Sequence, residues 1–170
     1  MIAKPQAGEY AHFYQTYVSL VDTDNITALL SQLQDSTFNF FNNLPADKAD
    51  YAYAEGKWTI KQLLGHLIDA ERVFAFRLLC FSRGDKNNLP GFDENSYVDN
   101  GGFGNRTLAH LAEEFKAARH SNVLMLQGIS DEQSILMGNA NNYPISVRAL
   151  AYIMAGHELH HLRIIKERYL

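Results

Sequence analysis

Residues 58–81 read WTIKQLLGHLIDAERVFAFRLLCF and predict a long amphipathic helix that opens at Thr59 and runs to about Phe81. Apolar residues recur there every three or four positions, the spacing that places them on one face of a helix. Thr59 followed by Gln62 forms a capping-box pattern, in which each side chain satisfies a free backbone N–H of the first turn. A helix with so wide an apolar face needs other helices to cover it.

Three further segments carry the same periodicity, at about residues 24–42, 107–127 and 146–168, the last with an N-cap at Ser146. The inner stripe of the 107–127 segment is predicted to consist of Leu108, Leu111, Phe115, Ala118 and Leu124. Turn-forming residues separate the segments, and no strand pattern of useful length competes. The predicted fold is therefore all-α, an antiparallel four-helix bundle.

The composition of residues 84–104, between the second and third predicted helices, is typical of a long irregular loop. Six of these residues are Gly or Pro, many others are Asn or Asp, and no apolar period is present. Loops of this length often carry function. The side chains of Phe92, Asp93, Tyr97 and Phe103 either cover a site on the bundle or only pin the loop to it, and both interpretations stay open.

The bulk composition limits the class of protein. A chain of 170 residues with 46% apolar residues suits one folded domain spanning residues 1–170. The formal charge of -4 argues against a nucleic-acid partner. The lone cysteine, Cys80, lies in an apolar run and predicts a reducing compartment. With neither a signal-like segment nor a membrane-spanning run, the expected location is the cytoplasm, away from membranes.

Three of the seven histidines are crowded into residues 156–161, which read GHELHH. His157 and His161 are four residues apart, about 40° around a helix axis and roughly 6 Å along it, so both imidazoles can reach one ion. His160 lies on the other side of that face and ranks below His161, as an alternative ligand or an outer group.

The string from His157 to His161 also matches the H-E-x-x-H signature of zinc proteases. The context argues against that interpretation. One protease class needs Gly and His three and six residues past the second His, where this chain has Ile164 and Glu167. The other class draws a Glu from a later helix, for which the few residues after His161 leave no room.

A third ligand must come from upstream, and His66 in the interior of the 58–81 helix is the best candidate. Alone, a histidine there is more often a hydrogen-bonded core residue, but the cluster at 157–161 reverses those odds. Gly65 and Gly156 each remove a side chain beside a presumed ligand, at a cost of about 1 kcal/mol of helix propensity. The prediction is one divalent ion on His66, His157 and His161.

Two motifs in these segments resemble those of a known family. The run from Trp58 to Arg72, the later Arg77 and Arg83-Gly84-Asp85, and the run from Ala155 to His161 are similar to the DinB/YfiT-like superfamily of small bacterial proteins. The resemblance implies a four-helix bundle and a metal, commonly zinc or nickel, held by His66, His157 and His161. It also implies a homodimer and, for some relatives, transfer of a low-molecular-weight thiol or hydrolysis.

Such a site is compatible with two classes of protein, a metal-dependent enzyme and a non-catalytic metal-binding module. An ion held by three histidines keeps one coordination position free, at which it can activate water or a thiol to attack a small-molecule substrate. This class predicts an enzyme with a concave, open site. A structural or sensing ion in a stress-related binding module predicts a closed site with four protein ligands. Asp69, Glu71 and Glu158 either orient a histidine or act as a base. Alternatively they lie on a solvated helix face or form ion pairs with Arg72 or Arg77.

Overall fold

The computed structural model describes residues 2–170. It contains seven α-helices in this described range: α1 (Gln15–Val18), α2 (Ile26–Asn42), α3 (Ile60–Ser82), α4 (Glu94–Asn100), α5 (Leu108–Gln127), α6 (Asp131–Ser134) and α7 (Val147–Arg168). The four long ones, α2, α3, α5 and α7, match the four predicted segments to within two residues at each end. The all-α bundle prediction is confirmed in its main part.

The predicted helix starts are confirmed by their caps. The Thr59 hydroxyl accepts a hydrogen bond from the backbone N–H of Gln62, whose side chain accepts one from the backbone N–H of Thr59. Ser146 caps α7 by accepting from the N–H of Ala149. These bonds satisfy N–H groups that have no partner inside the helix, so they fix where each helix begins.

Around the bundle the long helices follow the order α2, α5, α3, α7. Helices α2 and α7 run in the same direction, because contacts advance together along both, from Thr23 with Tyr152 to Thr37 with Glu158. Helix α3 is antiparallel to α7, since Trp58 before α3 contacts Tyr169 after α7.

Helices α3 and α5 are also parallel to each other. Lys61 reaches the carbonyl of Gly104 just before α5, and Arg72, further along α3, reaches Glu114 within α5. The expectation of an antiparallel bundle is therefore wrong for two of the four neighbouring pairs. The physical reason is the long connection from α3 to α5, which returns the chain to the beginning of α3 before α5 starts.

In the described part of the chain, three short strands accompany the helices, although the sequence shows no strand pattern of useful length. Within residues 2–170 a small sheet has the order β1 (Asn88–Leu89), β2 (Met137–Ala140) and β3 (Tyr143–Ser146). Strand β1 pairs parallel to β2, and β2 pairs antiparallel to β3. Asn141 and Asn142, with φ of 51° and 65°, form the hairpin turn between β2 and β3. The strands are too short for a period of two to be visible in the sequence.

The connection from α3 to α5 is less irregular than its composition suggested. It contains β1 and α4, and the Asp93 side chain caps α4 by accepting from the backbone N–H groups of Asn95 and Ser96. Val98 and Phe103 are buried against the bundle. The local hydrogen bonds of Asp93 outweigh the low helix propensity of this Asn-rich stretch.

The inner face of α5 differs from the predicted stripe at its C-terminal half. Leu124 is 54% exposed, whereas Arg119 and Asn122 point into the bundle and are buried. The apolar residues Leu108, Leu111 and Phe115 are buried as expected. Two polar residues thus occupy core positions of α5, which shifts its true inner face away from the apolar pattern.

Within residues 2–170, none of the helices combines the length and apolar character needed to cross a lipid bilayer.

Candidate metal centre

The structure brings His66, His157 and His161 together at the interface of α3 and α7. The Nε2 atom of His157 lies 3.0 Å from Nε2 of His66 and 3.1 Å from Nε2 of His161. The ring of His66 is centred 5.0 Å from each of the other two rings. The three nitrogens all lie within 4.8 Å of one another. The three side chains singled out in the sequence therefore converge on one point.

The donor set and its spacing fit a metal ion. In the ring plane, Nε2 of an imidazole has either one N–H or one lone pair, so Nε2 of His157 can make only one of its two short contacts a hydrogen bond. A shared cation satisfies all three nitrogens at once. Two ligand nitrogens about 2 Å from one tetrahedral ion are about 3.3 Å apart, close to the two observed separations.

Burial keeps these imidazoles neutral near pH 7. Loss of solvation lowers the pKa of His66 to about 4, with the charge of Glu94 opposing, and lowers the pKa of His161 to about 3. Burial also holds the pKa of His157 well below its usual value, and the neighbouring histidines lower it further. A neutral imidazole keeps the lone pair that a metal ion needs.

The other histidine of the 156–161 stretch lies beside the triad and outside it. The ring of His160 is centred 5.3 Å from that of Tyr17 and 5.2 Å from that of His161. Its nitrogens are not among the converging atoms. Ranking His160 below His161 therefore agrees with the geometry.

The buried acids near the triad belong to an ion-pair network that joins all four long helices. Arg119 of α5 donates to both carboxylate oxygens of Glu71 on α3, at 2.7 and 2.8 Å, and to Glu158 on α7 at 2.6 Å. Thr37 of α2 donates to Glu158, and Asn122 donates to Glu71. Glu158 follows His157 on α7, and burial and, to a smaller extent, the charge of Arg119 lower the pKa of His157. The network therefore lies close to the triad and holds the helix that carries two of the three histidines.

This arrangement corrects the expectations for the acids. Glu71 and Glu158 pair with Arg119, not with Arg72 or Arg77, and neither of them lines the cavity beside the triad. Asp69 also lies outside that cavity, and burial raises its pKa while the nearby Arg72 opposes. None of the three is placed to act on a substrate at the triad.

A cavity of about 440 Å³ opens beside the triad. Its lining combines aromatic side chains with two charged ones, Arg77 and Glu94. The full lining consists of Phe13, Tyr14, Tyr17, Trp58, His66, Phe74, Arg77, Gly91, Phe92, Glu94, Asn141, His157 and His161. Of the loop residues considered in the sequence, Phe92 lines this cavity. Phe103 pins the connection to α3, and Asp93 caps α4. Tyr97 packs on Phe92 and is 48% exposed.

Gly65 and Gly156 have a different role from the one expected. A Cβ atom at Gly65 would lie 2.3 Å from the ring of Phe103, and one at Gly156 would lie 2.1 Å from the carbonyl oxygen of Tyr17. Each glycine therefore admits a segment from outside the bundle next to a histidine. At Gly156 the admitted segment carries Tyr14 and Tyr17 into the cavity wall.

Replacing Gly156 with alanine is expected to destabilise the protein by about 1–3 kcal/mol, because the backbone of Tyr17 cannot move away as a flexible side chain would. Urea unfolding followed by circular dichroism measures this change. Gly104→Ala is the matched control, since a Cβ atom there has no neighbour within 4 Å. Equal stability of the two variants would contradict the close approach at Tyr17.

Several lining residues were not identified from the sequence as parts of a site. Tyr14 and Tyr17 precede the first predicted helix, and Glu94 and Asn141 lie in segments that the composition marks only as connections. No local pattern indicates which loop residues meet at a distant site. Arg77 was noted in the sequence as part of the family resemblance and as a partner for acids, but not as a residue that lines a cavity.

The fold and the site define a class of protein, a four-helix bundle with a histidine triad facing a cavity. Residues 29–165 match the sequence model of the DinB superfamily, and the chain belongs to this superfamily. A protein of Oceanobacillus iheyensis, named provisionally as a metal-dependent hydrolase, is 24% identical over an alignment of 162 positions that covers 86% of this chain and 86% of that protein.

A solved structure shares the fold. YfiT from Bacillus subtilis superposes with a TM-score of 0.73 over 96% of this chain and 90% of its own, at 15% sequence identity. It is described as a probable metal-dependent hydrolase with an unusual four-helix bundle topology. The family resemblance seen in the two histidine motifs is thus confirmed.

Proposed function

We propose that this protein is a metal-dependent hydrolase of a small organic substrate, with His66, His157 and His161 as the ligands of one divalent ion. The observation that carries the proposal is the convergence of three neutral imidazole nitrogens, two of them on buried histidines, at the wall of an open cavity. Imidazole donors suit zinc and nickel, which we propose as the metal. The provisional hydrolase name of the Oceanobacillus iheyensis relative agrees with this assignment.

When bound, the ion supplies Lewis acidity at a position that water or a thiol can share. The cavity beside the triad supports catalysis over a structural ion, because a structural site is closed by four protein ligands. Within residues 2–170 the three histidines form the group able to hold an ion, with no fourth ligand atom grouped with them. The open side faces the aromatic walls, which exclude bulk water and hold the apolar part of a substrate.

The Glu94 carboxylate is the proposed proton acceptor. Among the lining residues of the described chain it carries the only carboxylate, and its charge affects the pKa of both His66 and Tyr17. Glu94 lies at the beginning of α4, immediately after the cap at Asp93. A proton taken from the attacking nucleophile passes to its side-chain oxygen, which is exposed enough to release it to solvent.

The test of the proposal is removal and return of the metal. The purified protein is analysed for bound metals, then assayed on a panel of 4-nitrophenyl esters and amides before chelation, after chelation, and after addition of zinc or nickel. We expect about one ion per chain and hydrolysis that is lost and restored with it. Hydrolysis that persists without metal, or none by the metal-loaded protein on the whole panel, overturns the proposal.

Changing Glu94 to glutamine is expected to lower kcat for ester hydrolysis about 100-fold, because the amide cannot accept the proton. The metal content should stay that of the wild type, since Glu94 is not grouped with the converging nitrogens. Asp99→Asn, on the same short helix and outside the cavity, is the control and should keep wild-type kcat. An equal kcat for the Glu94 variant and the wild type would exclude this role.

Transfer of a small thiol to an electrophile is a second candidate, supported by the size of the cavity. A volume of about 440 Å³ has room for two small reactants. Incubation of the metal-loaded protein with cysteine or glutathione and monobromobimane, followed by fluorescence, tests it. Conjugation faster than the uncatalysed rate, and dependent on the metal, would favour the transferase over the hydrolase.

A further inference from the structure

An arginine without a carboxylate partner lies at the wall of the cavity. Arg77 is buried, with 4% of its surface exposed, and it lines the cavity together with the triad. Its Nη2 group donates a hydrogen bond of 2.7 Å to the carbonyl of Pro90. Within residues 2–170 no Asp or Glu oxygen lies within 4 Å of its nitrogens.

Burying a guanidinium away from a counter-charge is costly, and proteins rarely do so without a compensating ligand. Arg77 has five N–H donors, of which the Pro90 carbonyl takes one and the adjacent Tyr14 hydroxyl is placed to take another. The other donors are available to a molecule in the cavity. The contrast with Arg119, which is equally buried and pairs with two carboxylates, marks Arg77 as the exception.

Two polar groups from other segments accompany Arg77. The Tyr14 hydroxyl lies beside the guanidinium. The Asn141 side chain packs over Gly91, the residue after Pro90, and lines the same cavity. Guanidinium, hydroxyl and amide groups can all donate hydrogen bonds to an oxyanion.

We propose that Arg77, with Tyr14 and Asn141, binds an anionic group of the substrate, a carboxylate or a phosphate. This inference rests on the proposed function, because it assigns the substrate class of the same cavity. Arg77 recognises the substrate away from the reacting bond.

The position of Arg77 along α3 sets the length of the substrate. His66 carries the triad on α3, and the ring of Phe74, eight residues further along the same helix, is centred 5.6 Å from that of His157. Arg77 follows three residues later, roughly 5 Å further along the helix axis. Measured along α3, Arg77 lies roughly 5 Å beyond Phe74 and roughly 16 Å beyond His66, which puts the anionic group on the order of 10 Å from the triad. The substrate is a small organic anion whose charge is separated from the reacting bond by several atoms.

Binding is measured first, without turnover. Isothermal titration of the metal-loaded protein with glutarate, with glycerol 3-phosphate and with neutral glutaramide is compared in the wild type, Arg77→Gln, Arg77→Lys and Arg83→Gln. Arg83 follows α3, is exposed, and lies outside the cavity. We expect one of the two anions to bind better than glutaramide, and Arg77→Gln to weaken that anion about 10- to 100-fold.

The controls separate a binding role from a loss of fold. Arg77→Lys keeps the charge and should weaken the anion less than Arg77→Gln, while Arg83→Gln should bind it as the wild type does. Circular dichroism and metal content are measured for every variant. A preference for glutarate assigns a carboxylate, and one for glycerol 3-phosphate assigns a phosphate. Equal binding of the anions and glutaramide by the wild type, or equal anion binding by Arg77→Gln, overturns the inference.

A pair of esters separates this inference from the proposed function. Mono-4-nitrophenyl glutarate and 4-nitrophenyl butanoate differ mainly in one carboxylate. We expect the wild type to prefer the charged ester in kcat/KM, and Arg77→Gln to lose that preference. Metal-dependent hydrolysis of both esters at equal rates would overturn the anion site and leave the hydrolase. Anion binding that depends on Arg77, without hydrolysis of any ester, would support the anion site and overturn the hydrolase.

Discussion

Replacement of His157 by alanine is expected to remove the bound metal from the protein. His157 is the central member of the triad, because its Nε2 atom lies 3.0 and 3.1 Å from the other two. Without it the two remaining imidazoles cannot complete a three-ligand site, and we expect the affinity for zinc or nickel to fall at least about 100-fold. Metal analysis after dialysis, and competition with a chromogenic chelator, measure the change.

His160→Ala is the matched control for this prediction. His160 lies three residues after His157 on the same helix, and its ring nitrogens are not among the converging atoms. We expect the metal content of this variant to equal that of the wild type. Circular dichroism must show that both variants keep their helices. Retention of metal by the His157 variant, or its loss only in the His160 variant, would mean that the ligand set is misassigned.

Replacement of Arg119 by methionine is expected to destabilise the fold by about 3–5 kcal/mol. The change leaves the buried carboxylates of Glu71 and Glu158 without their cation. Methionine preserves most of the side-chain volume, so the loss is mainly electrostatic. Since a small domain is stable by only about 5–15 kcal/mol, the variant should show a much lower urea midpoint at 25 °C.

Lys116→Met gives the comparison for Arg119. Lys116 lies one turn earlier on α5 and pairs with Asp35 at the surface, with side-chain exposures of 36% and 63%. Exposed pairs contribute little, and we expect a loss below about 1 kcal/mol. Adding Glu158→Gln to the Arg119 variant should recover part of the stability, because it removes one uncompensated charge. Similar unfolding midpoints for the two single variants would contradict the role of the network.

The helices and the histidines could be predicted because each depends on residues close together in sequence. The cap at Thr59 and the apolar period after it define α3 locally. The four-residue spacing of His157 and His161 places both on one helix face by geometry alone. His66 required a further step, the assumption that a buried histidine meets the pair, and the structure brings it there.

Three features could not be predicted because they depend on contacts between distant segments. Arg119 is a core residue because carboxylates from α3 and α7 meet it. The apolar period of α5 contains no sign of this contact, and it therefore placed Leu124, which is exposed, on the inner face. Strand β1 is held in the sheet by pairing across about 50 residues, as between Asn88 and Asn139. The parallel direction of α3 and α5 follows from the path of the connection, which no helical pattern encodes.

Part of the cavity wall comes from segments outside the two helices that carry the triad. The histidines lie on α3 and α7, whose relative position is set by a network that includes all four long helices. The wall is completed by Tyr14 from the N-terminal segment, Glu94 from the connection and Asn141 from the hairpin. Such segments accept insertions and exchanges far more readily than packed helices. Related chains can therefore acquire new substrates by rebuilding these three segments, while the histidine-bearing helices stay as they are.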